Sequence, residues 1–300
     1  MPRTTWRAET ISGKRRRKYM KEKVVPMTAP VNRLLSAQSF ALMKQKQQKI
    51  TMITAYDFAE GSAVADTDID VILVGDSLGM VVLGYDSTLK VTMEDMITHS
   101  AAVRRGAPDK YIITDMPYMS YHLDSRETRV NASRLVREGG ANAVKLEGGA
   151  NSRLQAIRDI VDMEIPVCAH IGLTPQSILK FGGFKVQGKS EQAHDEILRQ
   201  AAAAEDAGAF MLVLEGMPEL LGKKISASLH IPTIGIGAGR YCDGQVLVYH
   251  DLLGYSRMQA KFVKQYADLN ESIPKAIMQY SREVREGLFP TREHSYYPID

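Results

Sequence analysis

Six ionisable side chains stand at the downstream ends of short apolar runs. Asp76 follows Val71-Ile72-Leu73-Val74, and Asp115 follows Ile112-Ile113-Thr114. Lys145 and Glu147 close the run that begins at Ala143, His170 closes Pro166 to His170, and Glu215 closes Phe210 to Glu215. In a strand, side chains alternate with period two, so Lys145 and Glu147 face one way and Leu146 the other. With Leu146 packed outward against helices, both charges point inward. An unpartnered buried carboxylate costs several kcal/mol, and Asp76, Asp115 and Glu147 converging on one place would repel unless a cation or protons neutralised them. A set of oxygen donors without cysteine selects a hard ion. A site with few protein ligands and room for water and substrate suits Mg²⁺ better than a full Ca²⁺ cage. Any single Asp after a strand is ordinarily a solvated loop charge or an ion-pair partner. The recurrence of such groups after five consecutive strands outweighs that reading, with His170 in a supporting role only.

Such residues act together only if the strands before them are parallel and end at one rim. From residue 50 onward, β-rich runs alternate with helix-periodic stretches, the pattern of parallel strands joined by crossover helices. Eight strands are expected: Ile50–Thr54, Asp70–Val74, Tyr111–Thr114, Ala143–Glu147, Pro166–His170, Phe210–Glu215, Pro232–Ile236 and Gln245–His250. Helices are expected over Met93–Arg105, Ser125–Glu138 and Gln192–Ala207, an extra helix over Glu271–Gly287, and a helix or irregular cap over Ala29–Lys44. Eight units imply an α/β fold, a (β/α)8 TIM barrel, whose chemistry gathers at the C-terminal ends of the strands. Its weakest link is the seventh strand followed closely by the eighth, with no convincing helix between them. The expected organisation is a basic disordered leader over 1–28 and one barrel domain over 29–300.

Two glycine-rich stretches have other readings. Gly235-Ile236-Gly237-Ala238-Gly239 follows a strand but opens no helix, and no acidic residue stands at the dinucleotide offset, so it reads as a tight rim loop. Gly182 to Gly188 reads as a mobile flap or an ordinary surface loop.

Composition narrows the class further. The chain has 300 residues, 44% hydrophobic and 24% charged, ample for one buried core. Its net charge of +3 divides unevenly: residues 1–30 hold nine Lys/Arg against Glu9 and Glu22, a net +7, which leaves the body at −4. Lys14 to Lys18 reads as a solvated leader ahead of a nuclear address, a nucleic-acid patch or part of a transit peptide, and Met20 or Met27 are alternative starts. A mildly acidic body without a basic stripe argues against nucleic acid as a partner. Cys168 and Cys242 lack any disulfide or zinc spacing, which points to a reducing cytoplasm. No apolar run approaches the roughly 20 residues of a bilayer span, so no membrane association is expected.

Several motifs in order resemble one family. They are Gly75-Asp76-Ser77-Leu78-Gly79-Met80, Gly84-Tyr85-Asp86-Ser87-Thr88, Ala102-Val103-Arg104-Arg105-Gly106-Ala107, Val144-Lys145-Leu146-Glu147-Gly148-Gly149, His170-Ile171-Gly172-Leu173-Thr174-Pro175-Gln176 and Cys242-Asp243-Gly244-Gln245-Val246-Leu247-Val248. Together they resemble the ketopantoate hydroxymethyltransferase (3-methyl-2-oxobutanoate hydroxymethyltransferase) family from about Lys49 to about Tyr255, with a weaker echo at Phe289 to Tyr297. The resemblance implies a TIM-barrel transferase of pantothenate biosynthesis, a homodecamer of two pentamers, acting on a small 2-keto acid with Mg²⁺ and 5,10-methylenetetrahydrofolate through a stabilised enolate. Carried over position by position, it makes Asp76, Asp115 and Glu147 the metal-site acids, with Asp76, Ser77, Asp115 and Lys145 binding substrate and Glu215 the proton acceptor. Lys90 stands where proline is usual and Ala169 where glycine is common, and neither touches the matched acids. Two other readings stay open. One is a phosphoenolpyruvate mutase/isocitrate lyase-type enzyme, whose Lys-Lys-Cys-Gly-His motif is absent here. The other is a catalytically silent assembly protein on the same scaffold.

Overall fold

The computed structural model describes residues 35–183, 185–256 and 260–297. The basic leader and its boundary at 28/29, the first part of the expected cap and Phe184 of the expected flap lie outside the described residues. Eight parallel strands close into a barrel in simple sequential order: β1 Ile50–Thr54, β2 Val71–Val74, β3 Tyr111–Asp115, β4 Ala143–Glu147, β5 Val167–Gly172, β6 Met211–Glu215, β7 Thr233–Ile236 and β8 Gly244–Leu247. β8 pairs back onto β1 with Met52 against Val246.

Period two sorts each strand into an inner and an outer layer. The inward rows Ile50-Met52, Val71-Leu73, Tyr111-Ile113, Met211-Val213, Ala143, Cys168, Ile234 and Val246 form one buried cluster inside the barrel. The outward rows Ile72-Val74, Val144-Leu146, Ala169-Ile171 and Leu212-Leu214 join a second cluster with the helices, among them Met96, Leu135, Ile157 and Ile225. Leu146 is therefore outward, as expected, and Lys145 and Glu147 point in. At about 25 cal/mol per Å² of apolar surface, each fully buried Leu or Ile in these layers contributes on the order of 2 kcal/mol. That burial holds the frame against which the charged ends are placed.

The helices over Met93–Gly106, Ser125–Arg137 and Glu191–Asp206 match expectation to within a residue, and each starts at a polar cap. Thr92, Asp124 and Ser190 accept hydrogen bonds from the backbone N–H of Asp95, Glu127 and Ala193. Helix Ala37–Gln45 closes the lower end, where Phe40 and Met43 plug the inner cluster.

The eighth strand departs from expectation. It ends at Leu247, and Tyr249–Leu252 form a helical turn, so His250 leaves the sheet and is buried behind it. The apolar run Val246 to Tyr249 carries no period that separates strand from buried helix, and the main chain turns at Val248. No helix lies between β7 and β8, as the short spacing implied; Gly237 (φ +65°) and Gly239 (φ +84°) turn the connection tightly. The extra C-terminal helix runs from Leu269 to Arg285 and buries none of its residues.

Candidate active site

The inward rows end in chemistry. Val71-Leu73 leads to Gly75 and Asp76, Tyr111-Ile113 to Asp115, Ala143 to Lys145 and Glu147, Cys168 to His170, and Met211-Val213 to Glu215. Sheet register puts neighbours level, with Asp115 opposite Lys145, Glu147 opposite His170 and Gly172 opposite Glu215. All six ionisable residues, with Ser77, line one cavity of about 780 Å³ at the barrel mouth. Every site residue expected from the sequence thus reaches one place.

Lys145 is the hub. Its Nζ lies 2.9 Å from Asp115 Oδ1, 3.7 Å from Glu147 Oε1 and 3.4 Å from His170 Nδ1. The His170 ring sits between two acids, with Nδ1 3.3 Å from Glu147 Oε1 and Nε2 3.2 Å from Glu215 Oε2. Asp115 Oδ2 accepts from the Asp76 backbone N–H at 3.0 Å, while its Oδ1 pairs with the ammonium by charge and receives no aligned hydrogen bond. Glu215 is the most open of the four acids, its side chain 14% exposed where those of Asp115 and Glu147 are 4% and 2%.

Burial and crowding set the electrostatics. Burial, reinforced by Glu147 and Asp115, holds the Asp76 carboxyl well above the usual carboxylate range. Burial also raises Asp115, against the pull of the Lys145 charge. For Glu147 burial is outweighed by His170 and Lys145, with the Gln176 N–H helping, and its carboxyl is lowered. Burial alone would pull Lys145 and His170 down. The surrounding carboxylates outweigh it, keep Lys145 protonated and push His170 up to about 9 against Lys145.

Two residues to which the sequence reading gave no role organise this cluster. Gln176 donates from Nε2 to Asp76 Oδ2 and to the Met116 carbonyl, both at 2.9 Å, and from its backbone N–H to Glu147 Oε2 at 3.0 Å. Its Oε1 accepts from the Tyr121 hydroxyl, which in turn accepts from the Glu147 N–H at 3.1 Å. One amide uses donors and acceptor together, so Asp76 and Glu147 are held in fixed orientations. The only sequence signal was a polar residue just past a strand end after Pro175. Its partner Asp76 is 100 residues away, which no local pattern reveals.

Behind Ser77, the Tyr56 hydroxyl lies 2.8 Å from Ser77 Oγ, and the Tyr56 N–H donates to Glu60 Oε2 at 2.8 Å. Burial, with Asp57 adding to it, pushes Glu60 from 4.5 up to about 7 against that hydrogen bond. A carboxyl raised by folding stabilises the fold fully below its unfolded value, and this contribution is lost as pH rises from 4.5 through about 7. Glu60→Gln should therefore match the wild type near pH 4.5 and exceed it above pH 7 by about 1 kcal/mol, a figure reduced for the partial exposure of the group. Chemical denaturation across that range is the measurement, and a pH-independent difference contradicts the assignment.

Gly172 fixes the spacing of β5 and β6. It has φ +99°, and a Cβ there would lie 2.3 Å from the Glu215 carbonyl, so only glycine lets the strand carrying Glu215 approach this closely.

Among the described residues, no three His, Cys, Asp or Glu side chains are arranged to hold a metal ion together, so a cage of Asp76, Asp115 and Glu147 is not formed. The reason is competition: both Glu147 oxygens already face Gln176, His170 and Lys145. Among the described residues, no helix is long and apolar enough to cross a membrane.

Known proteins share the sequence and the barrel of this chain. The family model described as ketopantoate hydroxymethyltransferase matches residues 35–292. A 3-methyl-2-oxobutanoate hydroxymethyltransferase of Geobacter sulfurreducens is 52% identical over 267 residues, 89% of this chain and 100% of that protein. Its namesake from Bacillus cereus is 53% identical over 258 residues, 86% and 92% of the two chains. Among solved structures, 2,3-dimethylmalate lyase, of the PEP mutase/isocitrate lyase superfamily, superposes with a TM-score of 0.58 at 15% identity, covering 87% of this chain and 92% of its own. Phosphonopyruvate hydrolase, solved with oxalate and Mg²⁺, gives 0.56 at 10% identity, covering 87% and 93%. These last two share the barrel. With a family model spanning the whole barrel, and half of all residues identical across nearly the full length of its relatives, the chain belongs to the ketopantoate hydroxymethyltransferase family of enzymes.

Proposed function

We propose that the enzyme transfers a hydroxymethyl group from 5,10-methylenetetrahydrofolate to 3-methyl-2-oxobutanoate, giving 2-dehydropantoate for pantothenate and coenzyme A synthesis in the cytoplasm. The observation that carries this reading is one mouth cavity that joins a buried cation, Lys145, and three buried acids to a more open acid, Glu215. A keto acid needs its carboxylate bound, its keto oxygen polarised and one C3 proton removed. Lys145 and the Ser77 hydroxyl orient the carboxylate. Glu215 takes the C3 proton, and His170, with Nε2 3.2 Å from Glu215 Oε2, fixes where that carboxyl sits. The new bond joins C3 to the methylene carbon, tetrahydrofolate leaves, and one water supplies the hydroxyl.

The residues fit a hard divalent cation. Asp76 and Asp115 crowd each other in a buried setting, and Asp115 Oδ1 is short of an aligned donor. These two would hold Mg²⁺, while Glu147, its oxygens engaged, would meet it through water. When bound, the ion supplies Lewis-acid polarisation of the keto oxygen.

The test is formation of 2-dehydropantoate from the two substrates with added Mg²⁺, and its loss on chelation. No product with Mg²⁺ present overturns the reading, and undiminished product under chelation removes the metal from it.

Self-association belongs to the same reading, as a homodecamer. The C-terminal helix Leu269–Arg285 turns Ile277, Met278, Tyr280 and Val284 to solvent, each at least 45% exposed. An amphipathic helix with an uncovered apolar face supports contact with another copy of the chain.

A further inference from the structure

The mouth cavity is far larger than a five-carbon keto acid fills and falls in the range of pockets that take drug-sized ligands. The acid cluster lines it, together with the end of β8, the loop Ala260 to Phe262, and Val186 from the 182–188 loop. Two acids that the chemistry above does not use also line it: Glu219, which pairs with Arg240, and Asp251. Asp251, on the helical turn after β8, is 5% exposed and lines the cavity, yet its Oδ1 has no hydrogen-bond partner. Burial raises its carboxyl, against a hydrogen bond from Ser256. A buried acceptor left unpaired is costly, and a ligand that brings N–H donors to it recovers that cost.

Phe262, which lines the same cavity, is 38% exposed and lies against the end of β7. A Cβ at Gly237, which has φ +65°, would sit 2.7 Å from the Phe262 ring, so the glycine is what lets the ring pack there. A carboxylate with an open acceptor oxygen and an exposed aromatic ring in the same cavity together suit a flat heterocycle that carries adjacent N–H donors on one edge. The 2-amino-4-oxopterin ring of a reduced folate is such a ligand, since its N3–H and 2-amino group point the same way and a carboxylate accepts both.

We propose that Asp251 recognises the one-carbon donor by accepting from the paired N–H groups of its pterin ring, with Phe262 providing the surface on which the ring stacks. This rests on the reading that the donor is a reduced folate. Asn at position 251 keeps the shape but offers one acceptor and turns an N–H toward the pterin donors. Asp251→Asn therefore raises the KM for methylenetetrahydrofolate roughly thirtyfold while the KM for the keto acid changes by less than about threefold. Phe262→Ala, at an exposed position where the fold is not at stake, raises the donor KM about tenfold.

The experiment measures both KM values for the intact enzyme and its two variants, together with tetrahydrofolate binding followed by pterin fluorescence. Weaker binding of tetrahydrofolate by both variants, by the factors seen in the donor KM, is the expected result. An unchanged donor KM in Asp251→Asn, or a loss carried by the keto-acid KM, overturns the proposal. Should Asp251→Asn fail to fold, Phe262→Ala decides, and unaltered tetrahydrofolate binding there overturns it. A wild-type enzyme that binds tetrahydrofolate but forms no 2-dehydropantoate sinks the proposed reaction and leaves the subsite standing. One that forms product with no effect of either variant sinks the subsite alone.

Discussion

Glu215→Gln lowers turnover by about a thousandfold and abolishes deuterium exchange at C3 of 3-methyl-2-oxobutanoate, while binding of keto acid and Mg²⁺ stays near the wild-type level. The size follows from what a positioned base contributes, on the order of 10² to 10⁴ in rate. The selectivity follows from placement. Glu215 is on β6, across the cavity from Asp76 and Asp115, and its link to the buried cluster is through His170 Nε2 at 3.2 Å. Gln is isosteric and keeps an oxygen facing that nitrogen, so the cavity keeps its shape while the proton acceptor and the negative charge beside His170 are lost. Exchange followed by NMR in D₂O without folate isolates the first step. Exchange persisting above about a tenth of the wild-type rate takes Glu215 out of the role of base.

Lys145→Met destabilises the fold by about 3–5 kcal/mol and lowers turnover at least a hundredfold. The ammonium is the common partner of Asp115 and Glu147, and removing one member of a buried ion pair strands the others at about that cost. The loss depends on pH in a direction that can be worked out. Burial already raises Asp76 and Asp115, and without Lys145 they move further up. Carboxyls with raised folded values contribute stability that is present at low pH and lost as pH rises. The variant therefore approaches the wild type in acid and falls furthest behind above neutrality. Added Mg²⁺ restores part of the deficit by binding the folded state, more in the variant than in the wild type, because the acids no longer have an internal cation. Denaturant titrations at two pH values, with and without Mg²⁺, check all three statements. A deficit under about 1 kcal/mol at pH 8 would show that the cluster is not held together by this charge.

Both predictions depend on residues that local patterning could find. The acids announce themselves because ionisable ends recur on five consecutive apolar strands, and because period two says which charges share a face. Lys145 and Glu147 needed only Leu146 between them to be assigned to the mouth. The resemblance then supplied their roles. Strand ends were less legible: β5 runs two residues beyond His170, and β8 stops three short of the expected His250. In both places apolar residues continue across the boundary, so periodicity alone has nothing to mark it.

The amino-acid sequence by itself determined the barrel, the order of its strands and the rim at which the acids gather, because alternation, caps and glycine turns act between residues a few positions apart. Only the tertiary structure decided how those acids are held and what else shares their cavity. Lys145 chooses Asp115, His170 bridges Glu147 and Glu215, Gln176 reaches back to Asp76, and Asp251, on the turn that follows the early end of β8, lines the same cavity. Each of these contacts joins separate strands or loops, and packing selects the rotamer and the partner. A hydrogen bond between residues 100 positions apart leaves no periodic trace in the chain.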